Sequence, residues 1–215
     1  MNAESPTSLM VSIRNGAISL GLFAVLTATA ISLTFVSSSD SIAANKAAAK
    51  AKALAAVMPA NLYDQSLLSA PLQLPNHQQL NVPESALGYA VIKSKLTQAV
   101  ILPVIARDGY SGDISLLVGI DAAGTIKGVR VIEHKETPGL GDKIERKKSV
   151  WIDSFMGHSL TNTTAQEWAV IKDGGEFDGF TGATITPRAV VNAVHQSLLY
   201  HHQHQQTLYS AAQEN

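Results

Sequence analysis

Three threonines crowd one short stretch, Asp178-Gly179-Phe180-Thr181-Gly182-Ala183-Thr184-Ile185-Thr186-Pro187. A threonine hydroxyl is a weak nucleophile until a base or metal activates it, and no base lies beside these hydroxyls in the stretch. Gly182 can take a positive φ or admit another backbone closely. Thr186 reads as the N-cap of a helix and Pro187 as its first helical residue. The free N–H groups and positive dipole end of that helix therefore point back at the threonines, and a phosphate placed there is stabilised. Ser and Thr also cap turns with no further role, and spacing alone favours that reading. A second stretch, Glu136-Thr137-Pro138-Gly139-Leu140-Gly141, contains an ordinary Pro-Gly turn signal. The cluster His201-His202-Gln203-His204 carries metal-ligand chemistry, but no scaffold or supporting partner fixes it. It reads as a flexible tail, and no metal is expected.

The elements that must position these residues follow from periodicity. Val190, Val191, Val194, Leu198 and Leu199 form one apolar stripe on the helix after Pro187. Upstream, four short runs rich in branched residues read as strands: 88–92, 99–104, 114–120 and 126–132. Turns such as Asp121-Ala122-Ala123-Gly124 make the run an antiparallel meander. A helix is expected over 143–155 and a further strand over 168–171. The fold class is α+β, a twisted antiparallel sheet flanked by helices, carried on a single N-terminal transmembrane helix.

That span is Gly16 to Val36, which contains no charge. As a helix it covers about 31 Å, matching the roughly 30 Å of a bilayer's hydrocarbon. Ala28-Thr29-Ala30 has the small-x-small pattern of a cleavage site, but the apolar run continues past it, so an uncleaved anchor is the first reading. The expected layout is a short tail at 1–15, the span at 16–36, a helical and loop stalk at 37–86, the main domain at 87–200 and a flexible tail at 201–215. Alanines favour helix over 42–58, and Pro71, Pro75 and Pro83 break the segment after it.

Of 215 residues, 16 are Lys or Arg and 17 are Asp or Glu, for a net charge of −1. No basic stripe marks a nucleic-acid footprint. The absence of cysteine excludes disulfides, thiolate metal sites, iron–sulfur clusters and a cysteine nucleophile. No glycine-rich dinucleotide fingerprint is present either.

The stretch 178–184 matches the D-x-x-(S/T)-G-A-T signature of FMN-binding domains that carry the flavin covalently. It resembles the attachment site of the G subunit of the Rnf (Rsx) ion-translocating electron-transport complex, and of the related C subunit of the sodium-pumping NADH:quinone reductase. Glu136 to Gly141 is similar to a second segment of the same subunits. The resemblance covers about residues 88–199, and chain length favours the Rnf member of the pair. It implies that Thr184 is esterified to the FMN phosphate, with Thr186 the nearest competing acceptor. Asp178, Thr181, Gly182 and Ala183 complete the attachment motif. The resemblance also implies that Glu136, Thr137, Gly139 and Leu140 belong to the flavin site, with Gly139 letting backbone approach the isoalloxazine ring and Leu140 and Thr137 supplying apolar and hydrogen-bonding contacts to it. No residue is expected to be catalytic.

By the same resemblance, a flavin transferase using FAD and Mg²⁺ loads the protein, and the partners are the other membrane subunits of the complex. The chain is then one redox subunit of a translocase, coupling ferredoxin and NAD chemistry to ion transport, and not catalytic for the overall reaction alone. Alternatives are the quinone reductase's C subunit, the flavin domain of another membrane-associated reductase, or an anchored binding module without flavin. The family layout places the domain on the periplasmic face of the bacterial inner membrane. Lys46, Lys50 and Lys52 after the span argue the other way, but long domains translocate largely regardless of charge.

Overall fold

The computed structural model describes residues 6–211, and the chain divides into two units, Met1–Ala49 and Lys50–Asn215. Helix α1, Pro6–Val57, begins in the first and ends in the second. Within the first unit, Met10–Phe35 is long and apolar enough to cross a membrane. Its large side chains, among them Leu22, Phe23 and Val25, have no protein cover, as expected of a helix whose solvent is lipid. The hydroxyls inside it are satisfied locally: Thr27, Thr29 and Thr34 donate to the carbonyls of Phe23, Val25 and Ala30 at 2.9, 2.7 and 2.9 Å. Polar atoms in hydrocarbon require such internal partners.

The second unit is built on five strands: β1 Pro71–Gln73, β2 Leu87–Lys93, β3 Leu96–Ala106, β4 Ile114–Asp121 and β5 Ile126–Glu133. They pair in sequence order and every pairing is antiparallel. Alternation along β3 and β4 sends Val100, Leu102, Val104, Ile114, Leu116, Val118 and Ile120 to one face. There they meet Val190, Val191, Val194 and Leu198 of helix α2, Ile185–Ala211. The other face, with Tyr89, Val91, Ala99 and Ile101, is covered by Leu54, Val57, Met58 and Leu67. The end of α1 seats on a glycine pair. Gly119 and Gly128 face each other across β4 and β5, and a Cβ on either would lie 2.7 Å from the Val57 carbonyl oxygen.

Several expectations change. The compact unit begins near Lys50 rather than at 87, because the second sheet face needs the end of α1 and residues 62–68 as its cover. The segment holding Pro71 also supplies edge strand β1, where Leu72 is buried. Residues 143–155 form two 3-10 turns, Gly141–Ile144 and Trp151–Phe155, instead of one helix. In place of a strand over 168–171 there is a single parallel bridge, Val170 to Phe177. The expected tail is helix to Ala211, with His201, His204 and Leu208 buried; residues 212–215 lie outside the described ones. Among the described residues no cluster suited to a metal ion occurs.

Candidate functional site

Both sequence stretches resolve into the same backbone device. Leu140 N–H donates to the Thr137 carbonyl at 3.1 Å, with Pro138 second in the turn and Gly139 third at φ +78°. Ala183 N–H donates to the Phe180 carbonyl at 3.0 Å, with Gly182 third at φ +83°. A positive φ at the third position is what a type II turn requires and glycine supplies. The two turns face each other: a Cβ on Gly182 would stand 3.7 Å from Leu140 Cδ2. The positive φ expected as one option for Gly182 is thus realised, and Gly139 adopts it as well.

Each turn is fastened from behind. In the first, Asp142 Oδ1 accepts from Gly139 N–H at 2.8 Å, and the Thr137 carbonyl also takes the Gly141 N–H at 3.1 Å. His134 Nδ1 accepts the Glu136 N–H at 3.0 Å while Nε2 faces Glu145 Oε1 at 3.0 Å, which places the ring hydrogen on Nε2. In the second, Phe180 is buried edge-on against Trp151, with centroids 5.0 Å apart. Trp151 Nε1–H donates to the Asp178 carbonyl at 2.8 Å.

Glu136 joins the two halves. Its carboxylate is 3% exposed. It accepts the hydroxyl of Thr186 at one oxygen and the Ser111 N–H, at 2.9 Å, at the other. A buried carboxylate needs such donors to offset lost hydration. Gly141 makes room for the pair, since a Cβ there would lie 2.8 Å from Thr186 Oγ1 and 3.0 Å from Glu136 Oε2.

Helix α2 starts at Ile185, so Thr184 is the residue before the helix, Thr186 its second residue and Pro187 its third. That shifts the expected cap from Thr186 to Thr184. The N–H groups of Ile185 and Thr186 have no intrahelical carbonyl to bond, and Pro187 has none to offer. Among the described residues the Thr184 hydroxyl has no hydrogen-bond partner, whereas that of Thr186 is fully buried and engaged by Glu136. One turn on, Arg188 grips Asp173 through both carboxylate oxygens at 2.5 Å. This guanidinium holds the Asp173 carboxyl below the ordinary carboxylate range, and the same pairing raises Arg188.

A cavity of about 310 Å³ opens between the turns. Glu136, Thr137 and Leu140 line one side and Gly182, Ala183, Thr184 and Thr186 the other. Gly139 belongs to the first turn without lining the cavity. Asp178 and Thr181 are exposed and lie off it. Sequence reasoning missed Tyr110, which lines the cavity from the β3–β4 loop and is 68% exposed; its one signal was an aromatic set between Gly109 and Gly112. It also missed Asp142 and Trp151, whose roles are contacts made only in the folded chain.

A family model for the FMN-binding domain matches residues 109–199, spanning both turns, and one for the RnfG N-terminal region matches residues 1–57. The chain is 45% identical over 202 residues to the G subunit of the ion-translocating oxidoreductase complex of Pseudomonas aeruginosa, covering 93% of this chain and 92% of that one. The chain belongs to this G-subunit family. Its Aliivibrio fischeri relative is 36% identical over 200 residues, with 93% and 95% covered, and its Vibrio cholerae relative 39% over 202, with 94% and 96% covered. Among solved structures, NqrC of Shewanella oneidensis aligns with a TM-score of 0.46 at 24% identity, over 68% of this chain and 71% of that one. The chain therefore carries an FMN-binding domain, and its two turns and α2 N-terminus fall inside the matched region. Among the described residues it also has one N-terminal helix long and apolar enough to anchor it in a membrane.

Proposed function

We propose that Thr184 Oγ1 carries FMN through a phosphodiester, and that this flavin relays electrons between neighbouring membrane subunits of the complex. The observation that carries the reading is the contrast between two hydroxyls. Thr184 follows the glycine turn and lines the cavity with its hydroxyl uncommitted, while Thr186 is buried and bonded to Glu136. The free N–H groups at the start of α2 favour the negative charge of a phosphodiester at that point. Leu140, Thr137 and Ala183 give the cavity the mixed apolar and polar walls that a flat ring needs.

Attachment joins Thr184 Oγ1 to the FMN phosphorus of FAD, breaks the pyrophosphate bond and releases AMP, with the hydroxyl proton lost to a base. No side chain among the described residues stands within hydrogen-bond reach of Thr184 Oγ1, so a separate flavin transferase supplies the base and the metal. Asp178, exposed at the start of the motif, is available to that enzyme. Once bound, FMN supplies a centre that exchanges electrons singly or in pairs. The chain's part is to hold it at a fixed place. Gly139, Thr181 and Gly182 shape the turns that do so. We place the domain on the periplasmic side, so that a reporter fused after Asn215 is active only there.

The test is intact mass and in-gel flavin fluorescence of denatured protein co-produced with a flavin transferase. One FMN adduct is expected in the wild type and in Thr186→Ala, and none in Thr184→Ala. An adduct that survives Thr184→Ala, or is absent from the wild type, refutes the assignment.

A further inference from the structure

We propose that Tyr110 is the third wall of the flavin site, its ring lying against the isoalloxazine; this rests on the attachment at Thr184 proposed above. Two walls come from the facing turns, and on the third side the cavity is lined by Tyr110. The residue sits at the tip of the β3–β4 loop, between Ala106 and Ile114, outside both motifs. Tyr110 is 68% exposed, so its aromatic face is open to a flat apolar partner. Leu140 and Ile185 at the same cavity are also exposed, at 43% and 45%, so Tyr110 is not the sole apolar side chain open at this cavity.

The loop is held for that task. Ser111, next to Tyr110, gives its N–H to Glu136 Oε1 at 2.9 Å. Gly109 packs so closely that a Cβ on it would fall 2.1 Å from the Gly112 carbonyl oxygen and 3.0 Å from Glu136 Oε1. The carboxylate that positions Thr186 thus also positions Tyr110. Glu136 gathers all three walls, and a ring seated among them presents one face to the phenol.

A phenol stacked on a flavin quenches its light emission. The photoexcited oxidised ring takes one electron from the phenol and returns it, so nothing is consumed. Tyr110→Phe keeps the aromatic wall but removes the readily oxidised group, and Tyr110→Leu removes both. The experiment uses the full chain with covalent FMN, in detergent, and compares emission yield, excited-state lifetime and visible circular dichroism of the flavin at equal adduct mass. Emission and lifetime are expected to rise several-fold in both variants. The flavin dichroism should be retained in Tyr110→Phe and diminished in Tyr110→Leu.

Trp151 is the rival quencher, buried beneath Phe180 and bonded to the Asp178 carbonyl. Brightening in Trp151→Phe alone, with both Tyr110 variants as dim as the wild type at full loading, overturns the proposal. An exposed residue at a loop tip can be replaced with little effect on folding, and melting temperature checks this. Absence of the adduct from the wild type defeats the parent reading instead, so the two failures are distinct.

Discussion

Gly141→Ala tests whether the Glu136–Thr186 contact holds the two halves of the site together. The added methyl would lie 2.8 Å from Thr186 Oγ1 and 3.0 Å from both Cβ and Oε2 of Glu136. Neither partner can retreat into solvent, since Glu136 is 3% exposed and Thr186 fully buried. Overpacking costs about 1–3 kcal/mol, and a buried carboxylate oxygen deprived of its donor costs about 1–3 kcal/mol or somewhat more. Because one displacement produces both effects, about 2–4 kcal/mol is expected in total, less the roughly 0.4–1 kcal/mol that Gly-to-Ala gains through the unfolded chain. In a domain of this size that lowers Tm by about 2–14 °C. Near-ultraviolet circular dichroism of the full chain in detergent reads the transition through Trp151. Gly179→Ala is the control, as a Cβ there meets nothing within 4 Å. In a Thr186→Ala background the cost of Gly141→Ala should shrink, because the nearest obstacle has gone. A Gly141→Ala protein that melts with the Gly179→Ala control, and takes up covalent FMN as fully, refutes the clamp.

Two further outcomes follow from burial. Gly128→Ala puts a methyl 2.7 Å from the Val57 carbonyl oxygen and 3.0 Å from its Cα; backbone must move, so about 1–3 kcal/mol is lost and trypsin should cut faster after Lys50 and Lys52. Burial depresses His201 to about 4, so the unfolded chain binds its proton first. Stability from this group is complete above the unfolded value of 6.5 and falls as pH drops from there to about 4, by up to about 3 kcal/mol. Urea midpoints across that window should flatten in His201→Phe.

Strands β2 to β5 were legible because branched residues alternate over lengths that leave no other period. β1 was not, since it has three residues beginning with Pro71 and is held by one buried side chain, Leu72. The C-terminal extension of α2 was hidden by residue type. His201, His204 and Leu208 continue the face of Val194 and Leu198 at helical spacing, but histidines read as polar until a fold buries them. The 143–155 segment failed for the opposite reason: local composition favours helix, while Ser149 accepts the Trp151 N–H at 3.1 Å and starts a separate turn. At the site, a turn was readable from Pro138-Gly139 and another from Gly182 before the helix, while their shared type shows only in the folded chain. The Glu136–Thr186 contact joins residues fifty positions apart, a distance that no local pattern reports.

The crowding of hydroxyls now has a physical reading. Thr181 sits second in its turn, exposed and off the cavity. Thr186 lies inside the helix, and its hydroxyl is committed to a buried carboxylate whose release costs stability. Of the three, Thr184 alone combines an uncommitted hydroxyl with a place at the start of α2 and in the cavity wall. Under the proposed attachment, the choice of acceptor needs no difference in intrinsic reactivity among three chemically identical side chains. It follows from which hydroxyl the fold leaves unpaired. Breaking the clamp should therefore do more than loosen the site: in Glu136→Ala, the freed Thr186 hydroxyl becomes a competitor, and a minor adduct at Thr186 in Glu136→Ala carrying Thr184→Ala would show that wiring, rather than sequence motif alone, sets the choice.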